Sequence, residues 1–369
     1  MRAGRARVRP HGRRHPAGTV EASEKGWITV GNQPLDIGAN DSADAYDAVV
    51  FGGGIGGTAA AYVLAREGLR VLLCETTGTL GREIVRGRNQ FADLPRYSEA
   101  SSAVREFFRY LTLRGGWFDG EMDPAAAAVA FDSMMEQVGA DVLFQVWPSK
   151  VCAEDGRITG AVLATKTGYR SIRTTKVVDA TGHGKLARSR FEGIPNPDAR
   201  TVLHVLFNGS EGDCETERSW TADGLGVIRA SCRATYWPGE RRISLCVDKF
   251  VSRSEWMLRL PSVVPELKRL FPSLSGSAFT YVGDDVWQTP CLRYRTGSVD
   301  ARAAGQVEDA EGRPYDIRRN MLGDPLRLQG FAMAGYWLEG MPFDPAQEER
   351  ALMNAFRLGE LAGRSLLAD

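Results

Sequence analysis

The sequence has little with which to build a metal site or a disulfide framework. Only four histidines and six cysteines occur among 369 residues. Cys74, Cys152, Cys214, Cys232, Cys246 and Cys291 include no pair at the close spacing of a zinc or dithiol site, so no metal is expected. In so long a chain they read as reduced thiols, mostly small buried hydrophobes, in a cytoplasmic protein. No apolar run approaches the roughly 20 residues that a membrane helix needs. Neither sign of charge dominates, with 46 Lys and Arg against 46 Asp and Glu. That balance gives no general field for nucleic acid or an anionic membrane and leaves a small molecule as the expected partner. The one biased stretch is residues 1–14, with six arginines and no acid. No apolar stretch follows it, so it is not read as a secretory signal, and residues 1–44 are expected to be a disordered leader.

What remains is enough for about two domains, since a domain takes roughly 100–200 residues. Order is expected to begin near Tyr46. The apolar run from Tyr46 to Phe51 suits a buried parallel strand. Thr58 to Arg66 reads as an alanine-rich helix closed by Gly68, and Leu69 to Cys74 as a second buried strand ending in Glu75. Ala103–Leu113 and Pro124–Val138 carry helical spacing, the second opened by Asp123-Pro124. From Ala140 the period becomes that of strands. Glu154 to Arg157 marks a turn between Ser149–Ala153 and Ile158–Ala164, and Ser171 to Val178 leads into Asp179-Ala180-Thr181-Gly182. Thr201–Asn208, Val227–Tyr236 and Arg242–Phe250 suit an antiparallel sheet, and Trp256–Phe271 a helix interrupted at Pro261 and Pro265. Gly297 to Arg313 reads as a loop, Phe331–Gly335 as a short strand, and Asp344-Pro345 as the start of a long helix.

Gly52-x-Gly54-x-x-Gly57 is informative because a strand precedes it and a helix follows. The first glycine permits the tight turn, the second a close approach of pyrophosphate, and the third close packing of helix on strand. The helix N-terminus then offers free N–H groups to phosphate. Glu75, eighteen residues after Gly57, can accept both ribose hydroxyls of an adenosine. The motif alone does not separate FAD from NAD.

Four segments carry a resemblance. They are Val49–Leu80, Ser149–Leu186 with "VVDATGHGKLA", Thr289–Gly297, and "GFAMAG" at 330–335 with "RALMNAFRLGELAG" at 350–363. Together they resemble the FAD-dependent oxidoreductase family of glutathione-reductase-like flavoproteins, near the succinate-dehydrogenase-type group. The resemblance implies an α/β fold, with a discontinuous FAD-binding Rossmann-type domain and a second, antiparallel-sheet substrate domain. It divides the chain into 45–90, 140–195 and 325–369 for FAD, a helical insertion at 91–139, and a substrate or cap domain at 196–324. It implies FAD contacts at Gly52, Gly54, Ile55, Gly56, Gly57, Glu75, Thr76, Gly81, Arg82, Glu83, Val151, Ala180, Thr181, Gly182, Gly335 and Arg350. Gly81-Arg82-Glu83 departs from the family's usual Gly-Gly pair, and His183 stands where the family often has an acid.

The candidate chemical groups are Arg293, Arg295, Tyr336 and His183. The two arginines read either as a clamp on a carboxylate substrate or as salt-bridge residues. Tyr336 reads as a ring lining the flavin pocket or as core. His183 reads as an acid/base or as a strand-end cap, and Arg350 as a flavin neighbour or a solvated charge. His204 reads as a partly buried sheet residue, and Glu83 as a base on proximity alone. The expected activity is hydride transfer between a small organic substrate and flavin N5. A monooxygenase or halogenase, kept open by Gly323-Asp324, and a non-catalytic flavin-binding protein are the alternatives.

Overall fold

The computed structural model describes residues 45–367, apart from 211, 213, 215–216, 296–301 and 324–327. The expected leader, including His11 and His15, and Asp324 lie outside the described residues.

The chain opens with strand β1 (Ala48–Phe51), helix α1 (Ile55–Arg66) and strand β2 (Val71–Glu75). All nine residues of the two strands are buried, as a parallel sheet covered on both faces requires. Short helices α2 (Arg82–Val85) and α3 (Leu94–Ser98) lead to α4 (Ser102–Leu113) and α5 (Pro124–Val138). The ends of α5 follow from its sequence. The Asp123 side chain accepts the Ala126 N–H at 2.6 Å, Pro124 opens the first turn, and Gly139 closes the helix at φ 66°.

Strand β3 (Asp141–Phe144) is followed by the meander β4 (Trp147–Glu154), β5 (Arg157–Thr165) and β6 (Gly168–Arg173), then by β7 (Lys176–Asp179). The single stretch expected from Ser171 to Val178 is thus two strands in two different sheets. Thr174 makes the break, its hydroxyl donating to the carbonyls of Asp47 and Lys176 at 3.1 and 3.0 Å.

Further on come β8 (Glu192–Pro195), β9 (Thr201–Asn208), β10 (Glu217–Ala222), β11 (Gly226–Ala234), β12 (Arg241–Val247), α6 (Arg253–Leu270), β13 (Ala278–Val282) and β14 (Trp287–Gln288). Helix α6 runs unbroken through Pro261 and Pro265. Both prolines are exposed, whereas Trp256, Leu260, Val263 and Leu267 form one buried stripe whose burial outweighs the lost backbone bonds. The last elements are β15 (Leu292–Arg295), β16 (Ala303–Glu308), β17 (Pro314–Arg318), α7 (Arg319–Leu322), β18 (Phe331–Met333) and α8 (Glu348–Leu367). Where a loop was expected up to Arg313, β16 and β17 form a hairpin. The final helix begins at Glu348 rather than at Asp344, whose carboxylate accepts the Ala346 N–H and pairs with Arg200 at 2.5 Å.

The parallel sheet has the order β18-β7-β1-β2-β3. Helices α1 and α8 cross at small residues on one face of it. A Cβ at Gly359 would lie 2.0 Å from the Gly56 carbonyl oxygen, and one at Gly57 would lie 1.7 Å from the Gly52 carbonyl oxygen. The antiparallel sheet has the order β10-β11-β12-β9-β13. One of its faces, with Leu203, Val205, Phe207, Ile228, Ala230, Ile243, Leu245 and Val247, packs on the buried stripe of α6. The alternate residues therefore form the opposite face.

Candidate functional site

Two places gather the chemistry. The first is the glycine loop between β1 and α1. Here the Gly53 N–H donates to Glu75 Oε2 at 2.6 Å, and Glu75 Oε1 accepts from the Thr77 N–H and the Thr76 hydroxyl at 2.7 and 3.1 Å. Glu75 is buried. The Gly81 N–H donates to the Gly53 carbonyl at 2.8 Å, which ties the 81–83 segment across the loop. Beyond it, Glu83 reaches back so that Oε2 accepts the Ile55 N–H at 3.0 Å. A Cβ at Gly54 would meet Glu83 Oε1 at 2.5 Å. A carboxylate therefore sits at the N-terminus of the twelve-residue α1, the position where a helix end attracts an anion.

Burial pushes the Glu83 carboxyl above the ordinary carboxylate range, and the Arg82 guanidinium and the Ile55 N–H only partly offset it. Burial works against the charge of Arg82, yet Asp285, Glu83 and Glu75 outweigh it and hold the guanidinium firmly protonated. Arg82 Nε lies 4.0 Å from Asp285, and its Nη2 would be 3.1 Å from a Cβ at Gly182.

The strand end at Ala180–Gly182 is fixed by Asp179. This fully buried carboxylate accepts the Thr181 hydroxyl and the N–H groups of Thr181, Leu186 and Ala187 at 2.7–3.1 Å. His183 follows and is exposed. Desolvation by the surrounding chain, then Arg82, Lys185 and Arg188, push its imidazole below the ordinary range. Val151 lies buried in β4, where its carbonyl accepts from Arg190 at 3.2 Å.

Gly335 follows β18, and a Cβ there would meet the Trp337 ring, whose Nε1–H donates to the Thr181 carbonyl at 2.8 Å. The Tyr336 ring stacks on Phe343 with centroids 3.7 Å apart, and its hydroxyl donates to the Ala351 carbonyl at 2.5 Å. Burial, with Glu83 nearby, pushes that phenol well above its ordinary range.

The second place is a cavity of about 740 Å³. Its wall is the polar face of the antiparallel sheet, with Val202, His204, Arg229, Ser231, Arg233, Arg242, Ser244 and Cys246. Phe91–Asp93, Arg96, Tyr97 and residues 345–350 close it. Arg242 crosses from sheet to helix and forms two bonds of 2.6 Å with Glu348, with only 4% of its side chain exposed. Arg350 lines the cavity mouth; its guanidinium bonds to the Ala310 carbonyl and to Gln347 and lies 3.5 Å from Glu308.

Arg293 and Arg295 do not join this cavity. Arg293 donates to the Met341 carbonyl at 3.1 Å, and exposed Arg295 pairs with Glu339 at 2.7 Å. Of the arginines that do line it, Arg350 was expected at the flavin end, whereas 96, 229, 233 and 242 were not singled out in the sequence, nor were His204 and Glu348 in this role. The available signal was the alternation Arg229, Ser231, Arg233 and Arg242, Ser244, Cys246, which is a polar stripe on one side of a sheet. Among the described residues no group of three or more His, Cys, Asp or Glu could hold a metal. The fold brings Cys214 and Cys232 to a sulfur separation of 3.0 Å.

Comparison with known proteins bears on this geometry. Residues 47–190 match the family described as FAD dependent oxidoreductase. This segment, 144 of the 369 residues, is similar to that family. The match spans β1 to the turn after Gly182, so it contains the glycine loop, Glu75 and the Asp179-held strand end. FAD is the cofactor of the family, and oxidation–reduction is its chemistry. The finer glutathione-reductase-like placement is not part of the match. Thiamine thiazole synthase of Pyrococcus abyssi is 27% identical over 168 residues, 42% of this chain and 66% of that protein. The chain thus spans just under two thirds of this curated relative. Among solved structures, a geranylgeranyl bacteriochlorophyll reductase-like protein from Thermoplasma acidophilum superposes with a TM-score of 0.58 at 14% identity, over 88% of this chain and 79% of that one. The myxobacterial halogenase CndH gives 0.56 at 15% identity, over 85% and 73%. These two likenesses concern the fold.

The loop fits FAD by the chemistry of its donors. The Ile55 N–H already donates to a carboxyl oxygen, so a pyrophosphate suits the same position once the Glu83 side chain withdraws.

Proposed function

We propose that this chain is an FAD-dependent oxidoreductase that moves a hydride between a small organic substrate and flavin N5. The observation that carries the reading is the Glu83 carboxylate on the Ile55 N–H, because it marks a working anion position in the matched segment. Gly52, Gly54, Ile55, Gly56 and Gly57 hold the pyrophosphate, and Glu75 with Thr76 the adenosine ribose. Val151 borders the adenosine end. Gly81, Arg82 and Glu83 face the pyrophosphate and ribityl groups, with Ala180, Thr181 and Gly182 opposite. Gly335 and Arg350 belong to the flavin end. FAD supplies two-electron acceptance; the protein supplies orientation and electrostatics. We assign 45–90, 140–195 and 325–369 to the cofactor domain, 91–139 to a helical insertion and 196–324 to the substrate domain, and we place the protein in the cytoplasm. Among the described residues no helix is long and apolar enough to cross a membrane.

A flavin spectrum of the purified protein, before and after heat denaturation, tests the reading. Absorbance near the flavin bands that is released by heating supports it, and its absence after reconstitution sinks it. A second reading, a halogenase or monooxygenase, draws on the fold likeness to CndH. Rapid reoxidation of photoreduced flavin by oxygen favours it. A bound flavin inert to both treatments favours a non-catalytic flavin-binding protein.

A further inference from the structure

His204 lines the cavity wall, 3% exposed, on β9. Its Nε2 is 2.9 Å from Asn89 Oδ1. The orientation of that amide is not free, because Asn89 Nδ2 donates to the Glu83 carbonyl at 2.8 Å and a flipped amide would set oxygen against oxygen. Nε2 therefore carries the proton and Nδ1 is a bare acceptor. That Nδ1 is buried and has no hydrogen-bond partner. Burial and then Arg242 push the imidazole far below its ordinary range, so it stays neutral. A buried acceptor left unpaired in this way costs about 1–3 kcal/mol, which a ligand donor can recover.

The sheet register sets what else faces that acceptor. His204 pairs with Ser244, and Ser244 with Ser231. Arg233 pairs with Arg242 one row further along the same face. With strands about 4.8 Å apart and about 3.4 Å per residue, the backbones of His204 and Arg233 are separated by roughly 12 Å. Both side chains line the one cavity. The Arg233 guanidinium lies 3.6 Å over the Phe91 ring and forms no ion pair among the described residues. Of the acids that act on it, Glu348 is held by Arg242 and Glu121 by Gln90 and the Tyr236 N–H, and Glu349, also on the cavity wall, acts least.

We infer that this cavity binds a small carboxylate carrying a hydroxyl or amine. Arg233 takes the carboxylate against the Phe91 face, and His204 Nδ1 accepts the hydrogen of the O–H or N–H. This rests on the cavity being the substrate site of the oxidoreductase proposed above.

The test uses the full chain labelled with ¹⁵N-histidine, flavin-loaded and flavin-free, with mandelate, phenylacetate and benzyl alcohol as probes. His204 is expected as the Nε2–H tautomer, with no titration between about pH 5 and 8. Mandelate should move its Nδ1 resonance and bind at least about tenfold tighter than phenylacetate, which lacks the hydroxyl. Benzyl alcohol, which lacks the carboxylate, should bind far more weakly. R233M should remove the advantage of mandelate over benzyl alcohol. H204F should remove its advantage over phenylacetate, and so should H204Q, which keeps a donor for Asn89. An Nδ1–H tautomer, ordinary titration, no mandelate response at millimolar concentration, or an undiminished preference in both His204 variants overturns the inference. Mandelate binding to protein that never takes up flavin would count against the oxidoreductase reading and leave the ligand assignment standing.

Discussion

The two halves of this chain manage negative charge by opposite means. At the glycine loop the attraction comes from the backbone: the free N–H of Ile55 and the dipole of α1. At the antiparallel sheet it comes from side chains, with guanidinium groups at positions 229, 233 and 242 on one polar face. The backbone device lies in the segment that matches the family and is set by glycines that cannot be enlarged. The side-chain device lies outside that segment and can be retuned one residue at a time. Cofactor chemistry was therefore readable by resemblance, whereas ligand chemistry had to await the register of β9, β11 and β12.

The largest effect should come from breaking the side-chain device at its buried centre. R242A leaves Glu348 without its ion-pair partner, with the Phe91 N–H still on it, and we expect a loss of about 3–5 kcal/mol in denaturant unfolding. R242M with E348L removes both charges and should recover most of it; a double variant as unstable as the single one would contradict the pair's role. Breaking the backbone device comes next. G57A drives a methyl into the Gly52 carbonyl and should cost about 1–3 kcal/mol and abolish flavin binding. Retention of flavin at wild-type affinity would show that the anion position is elsewhere. The smallest effect should be at Arg295. Its pair with Glu339 is exposed and outside both devices, so R295A should change neither the melting curve nor carboxylate binding. A loss of mandelate affinity in R295A would restore it to the substrate site.

Legibility in the sequence followed the range of the interactions. The β1–α1–β2 unit and α5 depend on local pattern and caps, such as Asp123 and Gly139, and both were readable in sequence. The β16–β17 hairpin was not, because only Val307 and Ile317 are buried among polar, glycine-spotted residues. The prolines of α6 misled, since local breaking signals lost to a buried stripe. At the site, Glu75 was placed by spacing. Glu83 was noticed only as a neighbour in sequence, because its bond to Ile55 spans 28 residues. His204 was read as a partly buried sheet residue because Asn89, which fixes its tautomer, is 115 residues away. Arg293 and Arg295 were singled out by the resemblance at Thr289–Gly297, but their strand pairs with β8 and neither residue lines the cavity.

The central claim is that FAD pyrophosphate takes the position Glu83 now holds. Its most direct test is the FAD dissociation constant of the wild type and E83Q across pH. Burial raises the Glu83 carboxyl, so the charged, competing form dominates above its raised value and is lost as pH falls through it. Arg82, Asp285 and Tyr336 act on the carboxylate; the Arg82 guanidinium stays charged and the Tyr336 phenol neutral over this range. The account predicts wild-type affinity that strengthens as pH falls through that raised value. It predicts E83Q affinity that is about tenfold tighter at pH 8 and nearly flat with pH. Weaker FAD binding by E83Q, or the same pH slope in both proteins, would contradict it.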